Sequence, residues 1–153
     1  MIDQRAVNER SLSLYHSMVR RFSSKQWKSG KRKGLVRDPG REVPFTLSQF
    51  RIWISNEIGF NAITCPYCGI PIDALSMSID HDVPVSRGGD LGLSNLVPVC
   101  LPCNKMKGGL TSDEYRSWIT FIETLHPAAK ADLVGRLKSG AMGKRLRYYG
   151  KKK

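Results

Sequence analysis

An α+β fold is the prediction for this chain: two short strands and a helix held by a four-cysteine knuckle, with helices on either side. Three observations carry it. All four cysteines fall in two CxxC pairs, Cys65-Pro-Tyr-Cys68 and Cys100-Leu-Pro-Cys103. Between the pairs lie two short strand-like runs separated by a glycine-rich loop. The segments before and after carry apolar residues at helical spacing. The 153 residues then divide into an N-terminal helical and basic extension (1–60), a core (61–110), and C-terminal helices with a basic tail (111–153).

Residues 3–22 read as a helix with Val7, Leu14, Met18 and Phe22 as its apolar positions. From Ser23 to Arg41 the composition changes. Lys25, Lys28, Lys31, Arg32, Lys33, Arg37 and Arg41 are interleaved with Ser29, Gly30, Gly34, Pro39 and Gly40, around Trp27. The pattern predicts an exposed, mobile basic loop. A solvated linker is the plainer reading, but a one-signed run holding an aromatic favours DNA contact. Thr46 is placed to cap a helix with Phe50, Trp53, Ile54 and Ile58 on one face, stopping at Gly59. That stripe reads as core, with base stacking by Trp53 the lesser option.

In the core, Pro66 and Gly69 suit a tight turn around the first cysteine pair. Met77-Ser78-Ile79-Asp80-His81 alternates as a short strand does, Ser86 to Gly92 is a loop, and Leu96 to Val99 is a second strand. A helix is expected to start near Cys103. Thr111-Ser112-Asp113-Glu114 is a capping box, opening a helix with Tyr115, Trp118, Ile119, Ile122 and Leu125 at helical spacing. Pro127 opens a last helix bearing Leu133 and Leu137, ending near Gly140. The tail holds Lys144, Arg145, Arg147 and Lys151 to Lys153 without an acid, around Tyr148 and Tyr149.

Charge narrows the partner. The chain has 25 Lys and Arg against 13 Asp and Glu, a net charge of +12. That excess favours a polyanion, nucleic acid first and an anionic membrane surface second. No apolar run is long enough to span a bilayer. Met1 to Arg5 lacks the apolar core of a signal peptide, so a cytoplasmic protein is expected. In that compartment paired CxxC cysteines point to metal more than to disulfides.

Two CxxC pairs supply four thiolates, the ligand set that structural zinc prefers. A redox dithiol, two disulfides or free core cysteines are the rivals. The 31 residues between Cys68 and Cys100 exceed the usual zinc-ribbon gap. Function is therefore expected in the insert, and the closed zinc site is expected to be structural.

Asp80-His81-x-x-Pro84, Ser86-x-Gly88-Gly89, Asn95-Leu96 and Val99-Cys100-x-x-Cys103-Asn104-x-x-Lys107-Gly108 follow one another behind Cys65-x-x-Cys68. In this order and spacing, residues 61–110 resemble the HNH endonuclease family. The resemblance implies a ββα-metal (His-Me finger) core, stapled by zinc on the four thiolates. It implies a catalytic divalent cation on Asp80 and Asn104, and Asn95 as a loop brace that orients His81. The protein would then be an H-N-N version, built on His81, Asn95 and Asn104.

The chemistry of the residues agrees. An imidazole titrating at about 6.5 deprotonates water near neutral pH, so His81 is the candidate general base. Asp80 with Asn104 makes an all-oxygen site, which favours Mg²⁺ or Mn²⁺. Neighbours on a strand face opposite ways. Asp80 and His81 are thus expected to approach a phosphate from different sides of a shared cavity. Arg87, Lys105 and Lys107 are candidate phosphate contacts, as are Lys31, Arg32, Lys33, Lys144, Arg145 and Arg147 farther away; solvated surface charge is the plainer reading of each. Asp82 departs from the family, which commonly has an apolar residue there; it is either an added metal-shell carboxylate or simply exposed. His16 and His126 have no comparable company and no role is assigned to them.

Two functions remain. One is a metal-dependent endonuclease that nicks or cuts double-stranded DNA. The other is a zinc-stabilised DNA-binding module without catalysis, which explains the charge and cysteines but not the His81, Asp80, Asn95 and Asn104 set. A structural zinc adaptor in a larger assembly fits the basic extensions less well. Small free-standing proteins of this kind resemble phage-encoded or homing endonucleases. Double-strand cleavage requires a homodimer or two successive nicks, and a larger phage or restriction assembly is also compatible with the sequence.

Overall fold

The computed structural model describes residues 3–26, 31, 34–38, 40–59 and 62–138. Five helices and three two-stranded antiparallel sheets lie within them. Helix α1 (Gln4–Phe22) starts on Asp3, whose side chain accepts from the Arg5 amide. Helix α2 (Leu47–Glu57) opens on a capping box between Thr46 and Gln49. It stops before Gly59, whose positive φ of 61° ends the helix without a Cβ penalty.

Between these helices the expectation of a mobile loop is corrected in part. Strand β1 (Lys25–Gln26) pairs antiparallel with β2 (Val36–Asp38). The pairing satisfies backbone groups that a free loop would leave to water. Lys31 is exposed between the two strands. Trp27, Lys28, Arg32 and Lys33 lie outside the described residues, as does everything from 139 onward, including Lys144, Arg145 and Arg147.

The central unit follows. Strands β3 (Ile63–Thr64) and β4 (Pro71–Ile72) pair around the first knuckle. Strand β5 (Met77–His81) runs antiparallel to β6 (Leu96–Cys100), with Met77 opposite Cys100 and His81 opposite Leu96. Helix α3 (Leu101–Lys107) follows directly, two residues earlier than the sequence suggested. Cys100 is its cap, and its sulfur accepts from the Cys103 amide. The capping box at Thr111 and Glu114 opens α4 (Ser112–Glu123), and α5 (Pro127–Lys138) closes the described chain.

One core joins these pieces. Phe50 and Ile54 from α2 and Ile58 at its C-cap are buried with Met77 and Val99 from the β5–β6 hairpin and Tyr115 from α4. Trp53 stacks on Phe50 with ring centres 5.7 Å apart, so it belongs to the packing. Helix α1 is tied on by Arg10, which donates to the Met77 carbonyl (3.1 Å), and by Tyr15, which donates to the Phe45 carbonyl (3.1 Å).

Candidate active site and metal centres

The four cysteines converge. Cys65 and Cys68 come from the β3–β4 turn, Cys100 from the end of β6, and Cys103 from the first turn of α3. Their sulfurs all lie within 4.8 Å of one another, and Cys68 Sγ is 3.7 Å from Cys100 Sγ. A tetrahedral ion with zinc–sulfur bonds of about 2.3 Å separates its ligands by about 3.8 Å. None of the four is in a disulfide. Backbone N–H groups point at the sulfurs, from Cys100 to Cys65 and from Cys103 to Cys100. Burial pushes the Cys65 thiol up, yet the amides of Cys100, Tyr67 and Cys68 outweigh it and bring it to about 7. The donor set and its geometry fit a structural zinc ion.

That staple positions the second centre. A zinc ion on Cys100 and Cys103 would anchor the start of α3, and one turn along the helix come Asn104 and Lys107, which bond to β5. Asn104 Nδ2 donates to Ser78 Oγ (2.7 Å) and to the Ile79 carbonyl (2.9 Å). Its nitrogen is committed, so Oδ1 is the atom left to hold a cation. Asp80, His81 and Asn104 line one cleft of about 700 Å³, so Asp80 and His81 do share a cavity. Asp80 is 8% exposed, and its Oδ2 is buried without a well-directed hydrogen bond. A carboxylate and an amide oxygen lining one cleft form an oxygen donor pair that fits a hard divalent cation.

Lys107 corrects the expectation made for it. Its side chain is wholly buried instead of reaching for phosphate. The ammonium donates to the His81 carbonyl at 2.7 Å and lies 2.9 Å from Asp80 Oδ2, charge against charge but off the hydrogen-bond direction. The physical reason is that Asp80 is buried, and a buried carboxylate requires a counter-charge. Arg87 is also placed elsewhere: it is exposed and ion-pairs with Glu114 of α4. That contact holds the Glu114 carboxyl well below its usual range. Lys105 does line the cleft and is exposed.

His81 is half-buried, its ring centre 5.8 Å from that of Phe22 with the two planes nearly perpendicular. Burial, helped by Arg21 and Lys107 and opposed by Asp80, lowers its pKa from the ordinary histidine value. Asn95 is buried outside the cleft. Its side chain accepts from the Val83 amide (2.9 Å) and donates to the carbonyls of Val83 (3.0 Å) and Asp90 (2.8 Å). Asn95 thus cross-links the loop after His81 and touches no reacting position. Gly89 belongs to the same device: a Cβ there would stand 1.9 Å from the Val83 carbonyl oxygen. Asp82 is exposed, is not part of the cleft, and contributes only its backbone, to Asn95 and Ser112.

The cleft also has members that sequence reasoning did not place there. Arg21 and Phe22 come from the end of α1, Lys25 from β1, and Arg41 from the segment after β2. Lys25 and Arg41 belong to the basic run read as contacting DNA, but nothing in the sequence tied that run to this cleft; for Arg21 the signal was slight, a basic pair, Arg20-Arg21, at a helix end.

Residues 65–109 match the model of the HNH endonuclease family. The match covers both knuckles, the β5–β6 hairpin and α3, so this segment is an HNH domain with a ββα-metal core. No curated protein matches the chain. The family brings nuclease chemistry on DNA as the class of activity and also includes members without catalysis. No helix among the described residues is long and apolar enough to cross a membrane.

Proposed function

We propose that this chain is a metal-dependent endonuclease hydrolysing phosphodiester bonds in duplex DNA, with His81 as general base and Mg²⁺ or Mn²⁺ held by Asp80 and Asn104. The observation that carries the reading is that these three side chains line one cleft beside exposed cations. The bound cation would offset the negative charge that builds on the phosphoryl oxygens and the leaving oxygen.

The protein's own residues supply the rest. A lowered pKa keeps the His81 imidazole neutral at neutral pH, with a ring nitrogen free to take a proton from water. The near-perpendicular Phe22 ring limits how the imidazole turns. Lys107 holds the His81 carbonyl, and Asn95 braces the loop that follows. Both fix the backbone that aims the base. Asn104 is held on β5 through its amide nitrogen, which orients Oδ1. Lys105, exposed on the cleft, would contact phosphate.

The test is nicking of supercoiled plasmid with Mg²⁺, wild type against His81→Ala, with zinc content as the check on folding. The variant is expected to lose on the order of 10²–10⁴-fold in rate. An undiminished rate would remove His81 from the base role. Nicked circles accumulating before linear product would mark single-strand cleavage by one ββα unit.

A further inference from the structure

We propose that the N-terminal unit is the second wall of this cleft and holds the backbone phosphates flanking the bond to be cut. The substrate named here rests on the endonuclease reading, whereas the wall itself rests on three observations about residues that precede the family-matched segment and close on it.

First, Arg21, Lys25 and Arg41 line the same cleft as Asp80 and His81, with Lys105 contributed from α3. All four cations are exposed. Second, among the described residues none of the four has a carboxylate within ion-pair distance, whereas Arg5, Arg87, Arg116, Lys130 and Arg136 each have one. Like charges gathered in one concavity repel each other and focus a positive field that a polyanion relieves. Third, their placement is built. The Arg41 amide donates to the Phe22 carbonyl at 2.7 Å, closing the last turn of α1. Gly40 sits at φ +76°, where a Cβ would stand 2.4 Å from the Ser24 nitrogen and 2.7 Å from the Phe22 oxygen. Only a glycine allows this strap to lie against the helix end. The strap and the helix end thus deliver Arg41 and Arg21 to the cleft together, with the Phe22 ring on His81. The site of this chain is therefore larger than its HNH segment.

The experiment uses the full, zinc-loaded chain. Binding of a labelled short DNA duplex is followed by fluorescence anisotropy across a salt series without added Mg²⁺, and cleavage kinetics are measured with Mg²⁺. The proteins are wild type, Arg21→Ala/Arg41→Ala, Arg21→Lys/Arg41→Lys, and Arg116→Ala/Lys130→Ala on the α4–α5 side. The double alanine variant is expected to flatten the slope of log K against log salt by about 1.8, or about 0.9 per lost phosphate contact. Its KM should rise about tenfold or more with kcat held within about threefold, the pattern of lost ground-state binding. The lysine pair should keep the wild-type slope, and the α4–α5 pair should change neither quantity. A double alanine variant with wild-type slope and KM would overturn the proposal. A wild type that binds but does not cut, with binding that still depends on Arg21 and Arg41, would leave the wall standing and remove the endonuclease reading.

Discussion

Lys107 shows how one side chain can serve both functional centres of the site. Its ammonium neutralises Asp80 and clamps the His81 carbonyl, while its backbone sits on a helix anchored at the cysteine cluster. Replacing it with methionine keeps much of the volume and removes the charge. Asp80 would then be buried without a counter-charge, a change that typically destabilises by about 3–5 kcal/mol. Urea unfolding of zinc-loaded Lys107→Met should show that loss, and a midpoint equal to wild type would mean that Asp80 finds its compensation elsewhere. Gly89 is the second residue on which the loop depends. With the Val83 oxygen 1.9 Å from where a Cβ would be, Gly89→Ala must displace the loop that Asn95 braces. Thermal unfolding should register a loss of about 1–3 kcal/mol, the usual range for overpacking.

At the scale of elements, α3 is seven residues long and too short to persist alone. It packs on β5 and β6, and a metal held by the cysteine cluster at its first turn would supply the rest of its stability. Stripping zinc with a chelator should therefore melt the hairpin and α3 together. A thiol reagent would then find four reactive cysteines where the zinc-loaded protein protects them, and protection persisting after chelation would argue that the cluster holds no metal. How far elements were legible follows their chemistry. The cap at Thr46, the capping box at Thr111 and the alternation in Met77–His81 are local signals, and those elements appear where expected. The pairing of β1 with β2 had no such signal, because the composition between them is that of a loop and the pairing partners lie far apart.

At the scale of the whole molecule, the N-terminal unit is packed onto the HNH domain and helps to shape its cleft. Arg10 is the main polar tie, reaching from α1 to the Met77 carbonyl at the zinc end of β5. Arg10→Ala should cost roughly 1.5–3 kcal/mol, the range for a hydrogen bond made by a charged group. Amide exchange in α1 should then rise ahead of exchange in β5. Equal exchange in both would mean that apolar packing by Val7, Leu14 and Met18 is enough to hold the helix.

By itself the sequence determined the knuckles and the ββα order, because each depends on spacing within a short stretch of chain; His81, Asp80 and Asn104 were singled out through the family resemblance, and the fold brings them to one cleft. Two-residue spacers bring sulfurs together, and adjacent positions on a strand carry their side chains in a known alternation. Only the tertiary structure decided that Lys107 is an interior counter-ion, that Arg87 is taken by Glu114, and that Arg21, Lys25 and Arg41 close on the cleft. A lysine or arginine reads alike in sequence whether it is solvated, paired or buried. Its role is set by which carboxylate or cavity the fold brings to it from far along the chain.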